Sequence, residues 1–526
     1  MSFEISRQLY DHGLDLLKQG RTELALARFL DSHLAAPANA APALRAIDLT
    51  IELDRPKDAI ALSRDLFSRY RDDGMETILS CPLPAIPACA DDVDLALDFF
   101  AERMAELTDR PGFRLDHPHL CLPRGQFLLP YHDRPVRRWR EAQAAMLQKA
   151  HPELGFAASH AQKGFIANPS PKLGVVSGLL AKHTVGMITV PLLQGLIKQG
   201  IGLHLFLTND QEDGPLAALK REAASVTHLP YDLAKARDEI AKAKLDVLLY
   251  PEIGMEPFVY ALAFARMAPL QLMMWGHPMT SGLASIDGFI SSHLIEPEGA
   301  DAHYTETLLR LPVMPVCVTD HYLQNPPARS DLGLPEDMRL YVCPQSLFKL
   351  SPAFDAALAG ILKGDPRGEI VLIGGQKPDW ECRLKARLSH RLGENLNRVR
   401  ILPRLERIPF IGLLATADVL LDPFGFSGGN TSAEALANGT PIVTLPGKTM
   451  AGRVTLGFLK TLEIEDTVAK DEADYIRQAL SIAQNSANIR ARIMKAKTRL
   501  FGSQEAARHM AEFIFRQPDG LKRPGK

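Results

Sequence analysis

A glycine-rich segment in the carboxyl-terminal third of the chain contains the residue types and spacing best suited to binding an anion. Residues 422–447 read DPFGFSGGNTSAEALANGTPIVTLPG. An apolar strand ends at Pro423, and Gly428 and Gly429 follow it in a turn. A helix rich in Ala and Leu begins at Thr431. The start of such a helix presents free backbone N–H groups, which suit a diphosphate.

Polar side chains at the start of this helix add further hydrogen-bonding groups. Asn430, Thr431 and Ser432 supply donors beside the glycine turn. Glu434, about one turn further along, carries a carboxylate that can accept hydrogen bonds from ribose hydroxyls. The alternative interpretation is a capped helix after a glycine turn, an arrangement common in α/β proteins. The segment alone does not distinguish the two, so its context has to decide.

The elements that would position this segment are two series of short apolar runs separated by helical patterns. This pattern is typical of parallel sheets flanked by helices. We therefore predict two doubly wound α/β domains, at residues 170–330 and 338–515, joined by a polar linker at 328–338. The carboxyl ends of their strands would meet at a shared cleft, and a final helix around 503–516 would cross back to the first sheet. The predicted strands lie at residues 173–178, 202–208, 245–250, 270–275 and 288–291, and then at 339–344, 368–374, 399–403, 419–423 and 441–446.

The first 155 residues have a different pattern. Their apolar residues recur at intervals of three and four, which predicts packed amphipathic helices. We predict an all-α domain over residues 1–155 that resembles tetratricopeptide repeats, with a generic helical bundle as the alternative. The residues that fall at the offsets of a tetratricopeptide unit are Gly13, Gly20, Ala25, Phe29 and Pro37.

Composition excludes several classes of protein. The 526 residues carry a formal charge of −2, with 46% hydrophobic and 23% charged residues, as in ordinary globular proteins. Nucleic-acid and membrane-surface proteins usually have a basic excess, so we expect neither partner. The six cysteines form no C-x-x-C pair, and no apolar run approaches the roughly 18 residues that span a bilayer. We expect a cytoplasmic protein.

Four blocks of the sequence resemble glycosyltransferase family 41, which contains the O-linked N-acetylglucosamine transferases and the bacterial protein N-glucosyltransferases. They occur in the family's order. The resemblance implies the GT-B architecture, in which two Rossmann-like domains hold a nucleotide sugar mainly through the carboxyl-terminal domain, preceded here by the tetratricopeptide-like helices. The blocks are LGVVSGLLAKHTVG (173–186), APLQLMMWGHPMTSGLASIDGFIS (268–291), CPQSLFKLSP (343–352) and ADVLLDPFGFSGGNTSAEALANGTPIVTLPGKTMAGRV (417–454).

The resemblance assigns donor-binding roles to residues of the second α/β domain. Lys349 matches the family's lysine after the strand at 339–344, where its charge would neutralise the leaving diphosphate. Ser346, in the same block, is placed with the nucleotide sugar. Phe410 stands where the family has a base-stacking histidine, and its ring can stack on uracil. Glu434 stands where the family has aspartate, next to the ribose.

The resemblance also assigns residues of the first α/β domain to the acceptor side. His183 matches the family's histidine after the first strand, and His277 matches the polar ring of the GHPMTSG turn. Either could accept a proton or orient a substrate hydroxyl. Asp246 stands where animal members have a second histidine, and it would act as a base or cap a strand end. His277 and the sequence PEIGM (251–255) match the N-glucosyltransferase branch.

The sequence therefore predicts an inverting glycosyltransferase. It would move a sugar, N-acetylglucosamine or a glucose-like sugar, from a UDP-sugar to Ser, Thr or Asn side chains of a protein. We expect no metal or other cofactor, because no D-x-D motif ends a strand and Lys349 with backbone dipoles would stabilise the leaving group. The alternatives are a GT-B transferase with a non-protein acceptor and a catalytically silent interaction protein. The sugar, the linkage, the acceptor and the catalytic base stay open.

Overall fold

The computed structural model of the protein describes residues 2–375 and 377–516, which form two compact units. The first unit is helical, and it consists of the chain up to Leu129 together with Ala142–Pro152. The second unit contains Pro130–Glu141 and the described residues from Glu153 onward. A segment of the region predicted as helical, Pro130–Glu141, therefore packs with the α/β part of the chain.

The helical unit begins with four helices in which each packs against the next. The tetratricopeptide spacing has a physical basis here, because a Cβ atom at Gly13 would lie 2.8 Å from the Phe29 ring. Phe29 and Ala25 are fully buried. Gly20 turns the chain with a φ of 72°. The helices are α1 (Ser2–Lys18), α2 (Thr22–Ala35), α3 (Ala40–Glu52), α4 (Pro56–Arg69), α5 (Asp73–Ile78), α6 (Ala90–Asp109) and α7 (Arg137–Ala150), whose first residues belong to the second unit.

The first sheet of the second unit is parallel throughout, with the strand order β3-β2-β1-β4-β5-β6-β7. The order reverses between β1 and β4, which makes their carboxyl ends a topological switch point. The strands are β1 (Lys172–Ser177), β2 (Gly202–Leu207), β3 (Ser225–His228), β4 (Val247–Tyr250), β5 (Leu270–Met273), β6 (Gly288–Ser292) and β7 (Thr307–Leu311), and the helices are α8 (Thr184–Lys198), α9 (Gly214–Glu222), α10 (Leu233–Lys242) and α11 (Pro257–Ala263).

The second sheet is also parallel, with the order β10-β9-β8-β11-β12 and a switch point between β8 and β11. Its strands are β8 (Arg339–Cys343), β9 (Gly368–Ile373), β10 (Val399–Leu402), β11 (Val419–Leu421) and β12 (Ile442–Val443). The helices are α12 (Pro352–Gly364), α13 (Pro378–Leu392), α14 (Arg407–Thr416), α15 (Asn430–Ala437), α16 (Val454–Leu462), α17 (Glu472–Gln484), α18 (Ala487–Ala496) and α19 (Glu505–Arg516).

The structure confirms the predicted fold class, two doubly wound sheets with a helical region before them. Each predicted strand is present, with ends shifted by a few residues. Two strands were not predicted: β3 is a half-exposed edge strand without an apolar run, and β7 has only three apolar residues, interrupted by Arg310. The last helix, α19, packs on α8 of the first sheet, where a Cβ atom at Gly195 would lie 2.6 Å from the Ala507 side chain.

Within the described residues, no helix is both long enough and apolar enough to cross a membrane.

Candidate active site

The donor side of the candidate site lies at the switch point of the second sheet. Strands β8 and β11 are parallel neighbours, with Tyr341 opposite Val419, so the loops that follow them start side by side. The loop after β8 leads to Lys349, and the loop after β11 contains the glycine turn. The fold thus places the lysine and the turn, about 80 residues apart in sequence, at one sheet edge.

Lys349 ends a short 3-10 helix, and its ammonium group is only partly exposed. Its Nζ atom donates a hydrogen bond to Oε1 of Gln345 at 2.8 Å. The same atom lies 4.6 Å from the centroid of the Phe426 ring. Burial lowers the pKa of Lys349 to about 8, although the charge of Asp422 favours the protonated form. The group is still mostly a cation at neutral pH, and it has little water to lose when an anion binds.

Asp422, the residue directly after β11, forms hydrogen bonds with the glycine turn and with the next strand's end. Its Oδ1 accepts the N–H of Gly428 at 2.7 Å, and its Oδ2 accepts the hydroxyl of Thr444 at 2.7 Å. Burial raises the pKa of this carboxyl to about 6. The sequence analysis did not single out Asp422; the available signal was an acidic residue directly after a buried strand.

The two glycines of the turn have different roles. A Cβ atom at Gly428 would lie 2.2 Å from Oγ of Ser432 and 2.7 Å from Nε2 of Gln345, so the turn packs closely on both side chains at this glycine. Gly429, which precedes α15, has open space around it. The turn is therefore closely packed at Gly428 and open at Gly429, which directly precedes the helix.

The polar residues at the start of α15 point in different directions. Nδ2 of Asn430 donates to the carbonyl oxygen of Thr184 at 3.1 Å, which joins this helix to the start of α8 in the first α/β domain. Thr431 is half-buried at the helix start. Ser432 differs from its prediction as a donor to the anion, because it is fully buried and its hydroxyl pairs with that of Thr455 at 2.9 Å.

The remaining predicted donor-side residues lie on neighbouring elements. Glu434 is buried and forms an ion pair with Arg407, the first residue of α14. Phe410 is half-buried on the same helix, and α14 packs against α15. Ser346 is exposed, and its carbonyl oxygen accepts the N–H of Lys349 at 2.9 Å. The carboxylate predicted to face a ribose is therefore already paired with a guanidinium group.

The acceptor side of the candidate site lies at the carboxyl ends of the first sheet. His183 precedes α8 and caps it, because its Nδ1 accepts the N–H of Val185 at 3.1 Å. Burial lowers the pKa of this imidazole. A neutral ring that accepts through Nδ1 has its proton on Nε2. His183 can therefore donate a hydrogen bond to a ligand, as the second of its two predicted roles, orienting a substrate hydroxyl, requires.

His277 is almost fully buried in the loop after β5. Its ring centroid lies 6.3 Å from that of Tyr131. On another side it packs against Gly254, where a Cβ atom would lie 2.7 Å from Nδ1 and where φ is 101°. The glycine of the PEIGM sequence is thus required both for the backbone conformation and for the space that the imidazole occupies.

Two carboxyl groups of the same loop were missed by the sequence analysis. Glu252 follows β4, is fully buried, and accepts the N–H of Gly178 at 2.9 Å through Oε1. Burial raises the pKa of Glu252 to about 8. Glu256, four residues on, accepts the hydroxyl of Thr208 at 2.8 Å. The signal was present as the glutamate of PEIGM, and it lay two residues beyond the end of a buried strand.

One comparison with known protein families covers the part of the chain that contains the donor side. Residues 323–510, which include Lys349, Asp422 and the glycine turn, match the family described as glycosyl transferase family 41. The second α/β domain is thus similar to glycosyltransferase family 41. The match covers the second α/β domain and leaves the first α/β domain and the helices outside it.

Curated relatives align with this chain over a similar share of their length. Tomato "Probable UDP-N-acetylglucosamine–peptide N-acetylglucosaminyltransferase SPINDLY" is 29% identical over 224 residues, which are 42% of this chain and 24% of that protein. The Arabidopsis thaliana protein with the same enzyme name and the designation SEC is 28% identical over 233 residues, 43% of this chain and 24% of that protein. The aligned part is thus about a quarter of the length of these curated relatives.

A solved structure shares its fold with the chain over nearly its whole length. It is a mutant of the Thermobaculum terrenum O-GlcNAc transferase, which is 20% identical, and the similarity covers 98% of both chains with a TM-score of 0.67. This likeness extends the shared architecture from the second α/β domain to the first and to the helices.

Asp246 is the predicted site residue that the structure separates from the others. It directly precedes β4, and its Oδ2 accepts the N–H of Lys172 at 2.8 Å and the side-chain amide of Asn168 at 3.1 Å. Both partners lie at or before the start of β1. Because β1 and β4 are parallel, this is the amino end of the sheet, a strand length of about 13 Å from the opposite edge. Asp246 thus caps strand starts, the second of the two roles predicted for it, and lies away from the other predicted site residues.

Proposed function

We propose that this chain is an inverting glycosyltransferase that moves a sugar from a UDP-sugar to a side chain of a protein. The observation that carries the proposal is the partly buried ammonium of Lys349 at the edge of the sheet where a glycine turn leads into α15. A cation with few water contacts beside free backbone N–H groups is suited to a diphosphate that becomes more negative as it leaves.

On the donor side, the diphosphate binds between Lys349 and the open face of the turn at Gly429. The nucleoside extends to the place where α14 packs on α15. There Phe410 stacks on the uracil ring, and the pair of Glu434 and Arg407 bonds the ribose hydroxyls. This chain would supply the stabilising charge with Lys349 and backbone dipoles, so we propose that transfer proceeds without a metal ion.

On the acceptor side, an uncharged nucleophile approaches from the first sheet. His183 orients it through the Nε2 proton. His277 is then the imidazole that accepts the proton of the attacking group, because His183 uses Nδ1 as a cap. In an inverting reaction the nucleophile attacks the anomeric carbon on the face opposite the leaving UDP, so the two sheets supply the two reacting partners.

We propose a protein as the acceptor and N-acetylglucosamine or a glucose-like sugar as the donor group. The names of the relatives, which specify UDP-N-acetylglucosamine and peptides, support this choice. The helices α1–α4 stack pairwise, an arrangement that offers extended surfaces to peptides. We also propose a cytoplasmic location, because the six cysteines are all free thiols.

The proposal is tested by binding and by transfer. UDP at about 100 times its Kd should stabilise the protein by about 2.7 kcal/mol, seen as a rise in Tm, and the rise should persist in EDTA. The purified protein, offered mixed UDP-sugars and a cell extract, should add hexose or N-acetylhexosamine mass to peptides in a mass-spectrometric survey.

Each alternative predicts a different result. Loss of UDP stabilisation in EDTA would contradict the metal-independent mechanism. Transfer to lipids or free glycans but not to peptides would indicate a non-protein acceptor. UDP stabilisation without turnover of any UDP-sugar would indicate a silent interaction protein, and absence of both would overturn the proposal.

A further inference from the structure

The segment Pro130–Glu141 comes from the helical part of the sequence but packs with the α/β unit. Tyr131, its second residue, is buried. The ring of Tyr131 stacks on the ring of Phe426, with centroids 4.1 Å apart and planes 14° apart. It also meets Phe348 edge to face, with centroids 4.9 Å apart. Both partners belong to the donor side: Phe348 precedes Lys349, and Phe426 lies two residues before Gly428.

The Phe426 ring lies between Tyr131 and the ammonium group of Lys349. The Tyr131 ring covers one face of Phe426 at 4.1 Å, which leaves no room for an ammonium group on that face. The Nζ atom of Lys349, 4.6 Å from the Phe426 centroid, therefore lies over the other face. A cation over an aromatic ring is held by the negative potential of the ring face. The position of that face thus depends on Tyr131.

Tyr131 is also the residue that contacts His277 of the acceptor side, with ring centroids 6.3 Å apart. One side chain therefore adjoins a group from each α/β domain. Neither sheet supplies this side chain, and burial raises the pKa of its phenol, so the hydroxyl stays protonated.

The segment that carries Tyr131 is anchored independently of the ring. Oδ1 of Asp133 accepts the N–H of Lys448 at 2.8 Å. Two glycines leave room for this aspartate: a Cβ atom at Gly425 would lie 2.8 Å from Cβ of Asp133, and one at Gly447 would lie 2.7 Å from its Oδ1. Because the backbone is held there, a change at Tyr131 removes the ring without releasing the segment.

We propose that Tyr131 is a positioning residue of the transferase: its ring fixes Phe426 under the ammonium group of Lys349 and packs against His277. This aligns the donor and acceptor groups across the cleft. The inference rests on the proposed function, since it deepens the roles given there to Lys349 and His277. Misplacement of a catalytic group by about 1 Å can cost 100-fold in rate, so an aromatic layer beneath the lysine has a measurable effect.

The test compares Tyr131→Leu, which removes the aromatic face, with Tyr131→Phe, which keeps it. Steady-state kinetics with the UDP-sugar should show kcat lowered about 10- to 100-fold by Tyr131→Leu, with a smaller change in KM. Tyr131→Phe should remain close to wild type. Tyr10→Leu is the matched control, because Tyr10 forms an edge contact with Phe29 in the helical unit, with centroids 5.2 Å apart.

A second measurement does not need turnover. Acetic anhydride labels unprotonated amines, and mass spectrometry of the full chain at a series of pH values gives the midpoint for Lys349. The wild-type midpoint should lie near the lowered pKa of about 8. Tyr131→Leu should raise it towards that of an ordinary lysine, because water reaches the ammonium group while the charged Asp422 and the protonated thiol of Cys343 stay in place. Tyr131→Phe and Tyr10→Leu should leave it unchanged.

Phe426→Leu interrupts the same stacked pair of rings by removing the partner of Tyr131. It replaces Tyr131→Leu in the test if that variant does not fold. The double variant should show no more than the larger single effect, since both changes interrupt one contact chain. Additive effects, an unchanged midpoint in Tyr131→Leu and Phe426→Leu, or equal loss in Tyr131→Phe would overturn the proposal. If wild type turns over no UDP-sugar, the proposed function fails, while the labelling midpoints still decide whether Tyr131 positions Lys349.

Discussion

The two α/β domains have the same kind of sheet and the same kind of switch point, yet they assemble their site residues differently. In the second domain, Lys349, Asp422 and Gly428 lie on two adjacent loops. They are linked through Gln345 and through direct hydrogen bonds. In the first domain the site residues come from three separate loops, and their partners are backbone N–H groups and aromatic rings. The donor-side residues thus hold one another in place, whereas each acceptor-side residue is held by the backbone or the rings that surround it.

The electrostatics of the two sides differ in the same way. The donor side buries a lysine with a pKa of about 8 near a carboxyl with a pKa of about 6, so both are mostly charged at neutral pH. On the acceptor side burial keeps Glu252 mostly protonated, with a pKa of about 8, and lowers the pKa of His183. A charged donor side suits an anionic leaving group, and a nearly neutral acceptor side suits an uncharged nucleophile.

The largest expected effect is on the donor side. Lys349→Ala should lower transfer about 100-fold or more, because the leaving diphosphate loses its preorganised charge. The Tm should change little, since removing a partly buried charge also removes its desolvation cost. Turnover and thermal unfolding, measured on the same preparation, check this. Lys363→Ala, an exposed lysine on α12, is the matched control. Near-normal turnover in Lys349→Ala would show that the positive charge on the donor side does not contribute to catalysis.

The affinity for UDP should depend on pH through the charge of Lys349. The Lys349 cation is present below its pKa of about 8 and is lost as the pH rises through that value. UDP affinity should therefore fall above pH 8, by at most tenfold per pH unit, as titration of one required proton dictates. Calorimetry at several pH values measures this fall. Asp422→Asn should move the midpoint to lower pH, because the carboxylate no longer favours the cation. A flat profile to pH 10 would contradict the assignment.

On the acceptor side, His183 has a chemical role and a structural one that can be separated. His183→Ala should cost about 1 kcal/mol of stability, because α8 loses its cap, whereas His183→Asn keeps a capping oxygen. Both should lower transfer to the acceptor about tenfold, as loss of one orienting hydrogen bond implies, and leave UDP binding unchanged. Denaturant unfolding and acceptor kinetics check the pair. If His183→Asn transfers normally, the imidazole acts only as a cap.

The smallest effect on transfer is expected at Asp246. Asp246→Ala removes the acceptor of the Lys172 N–H and of the Asn168 amide, which should cost on the order of 1 to 3 kcal/mol of stability. Transfer by the folded protein should be unchanged, because these contacts lie at the amino ends of the strands. Unfolding and turnover measured together test this. If the folded variant has lost transfer activity, Asp246 contributes to catalysis as well as to stability.

The sequence predicted the strand positions well because buried parallel strands are continuous apolar runs bounded by turns. It missed β3 and β7, which have few apolar residues and exist only because a neighbouring strand offers a hydrogen-bonding edge. It found Lys349 and the glycine turn, which are local patterns. It did not show that the Ser432 hydroxyl pairs with Thr455 or that Asp246 lies at the amino end of the sheet, because the direction of a side chain and the end of a sheet at which it lies depend on neighbours from other segments.

By itself the sequence determined the fold class, the similarity of the second domain to a known family and the local geometry of the glycine turn, since helix starts, glycine turns and apolar strands are decided by residues close in the chain. Only the tertiary structure decided that Tyr131 packs under Phe426, that Glu434 is already paired with Arg407, and that Asp422 and Glu252 are buried where their pKa values rise. Burial and ion pairing arise where segments that are distant in the sequence come into contact. A local sequence pattern therefore cannot predict them.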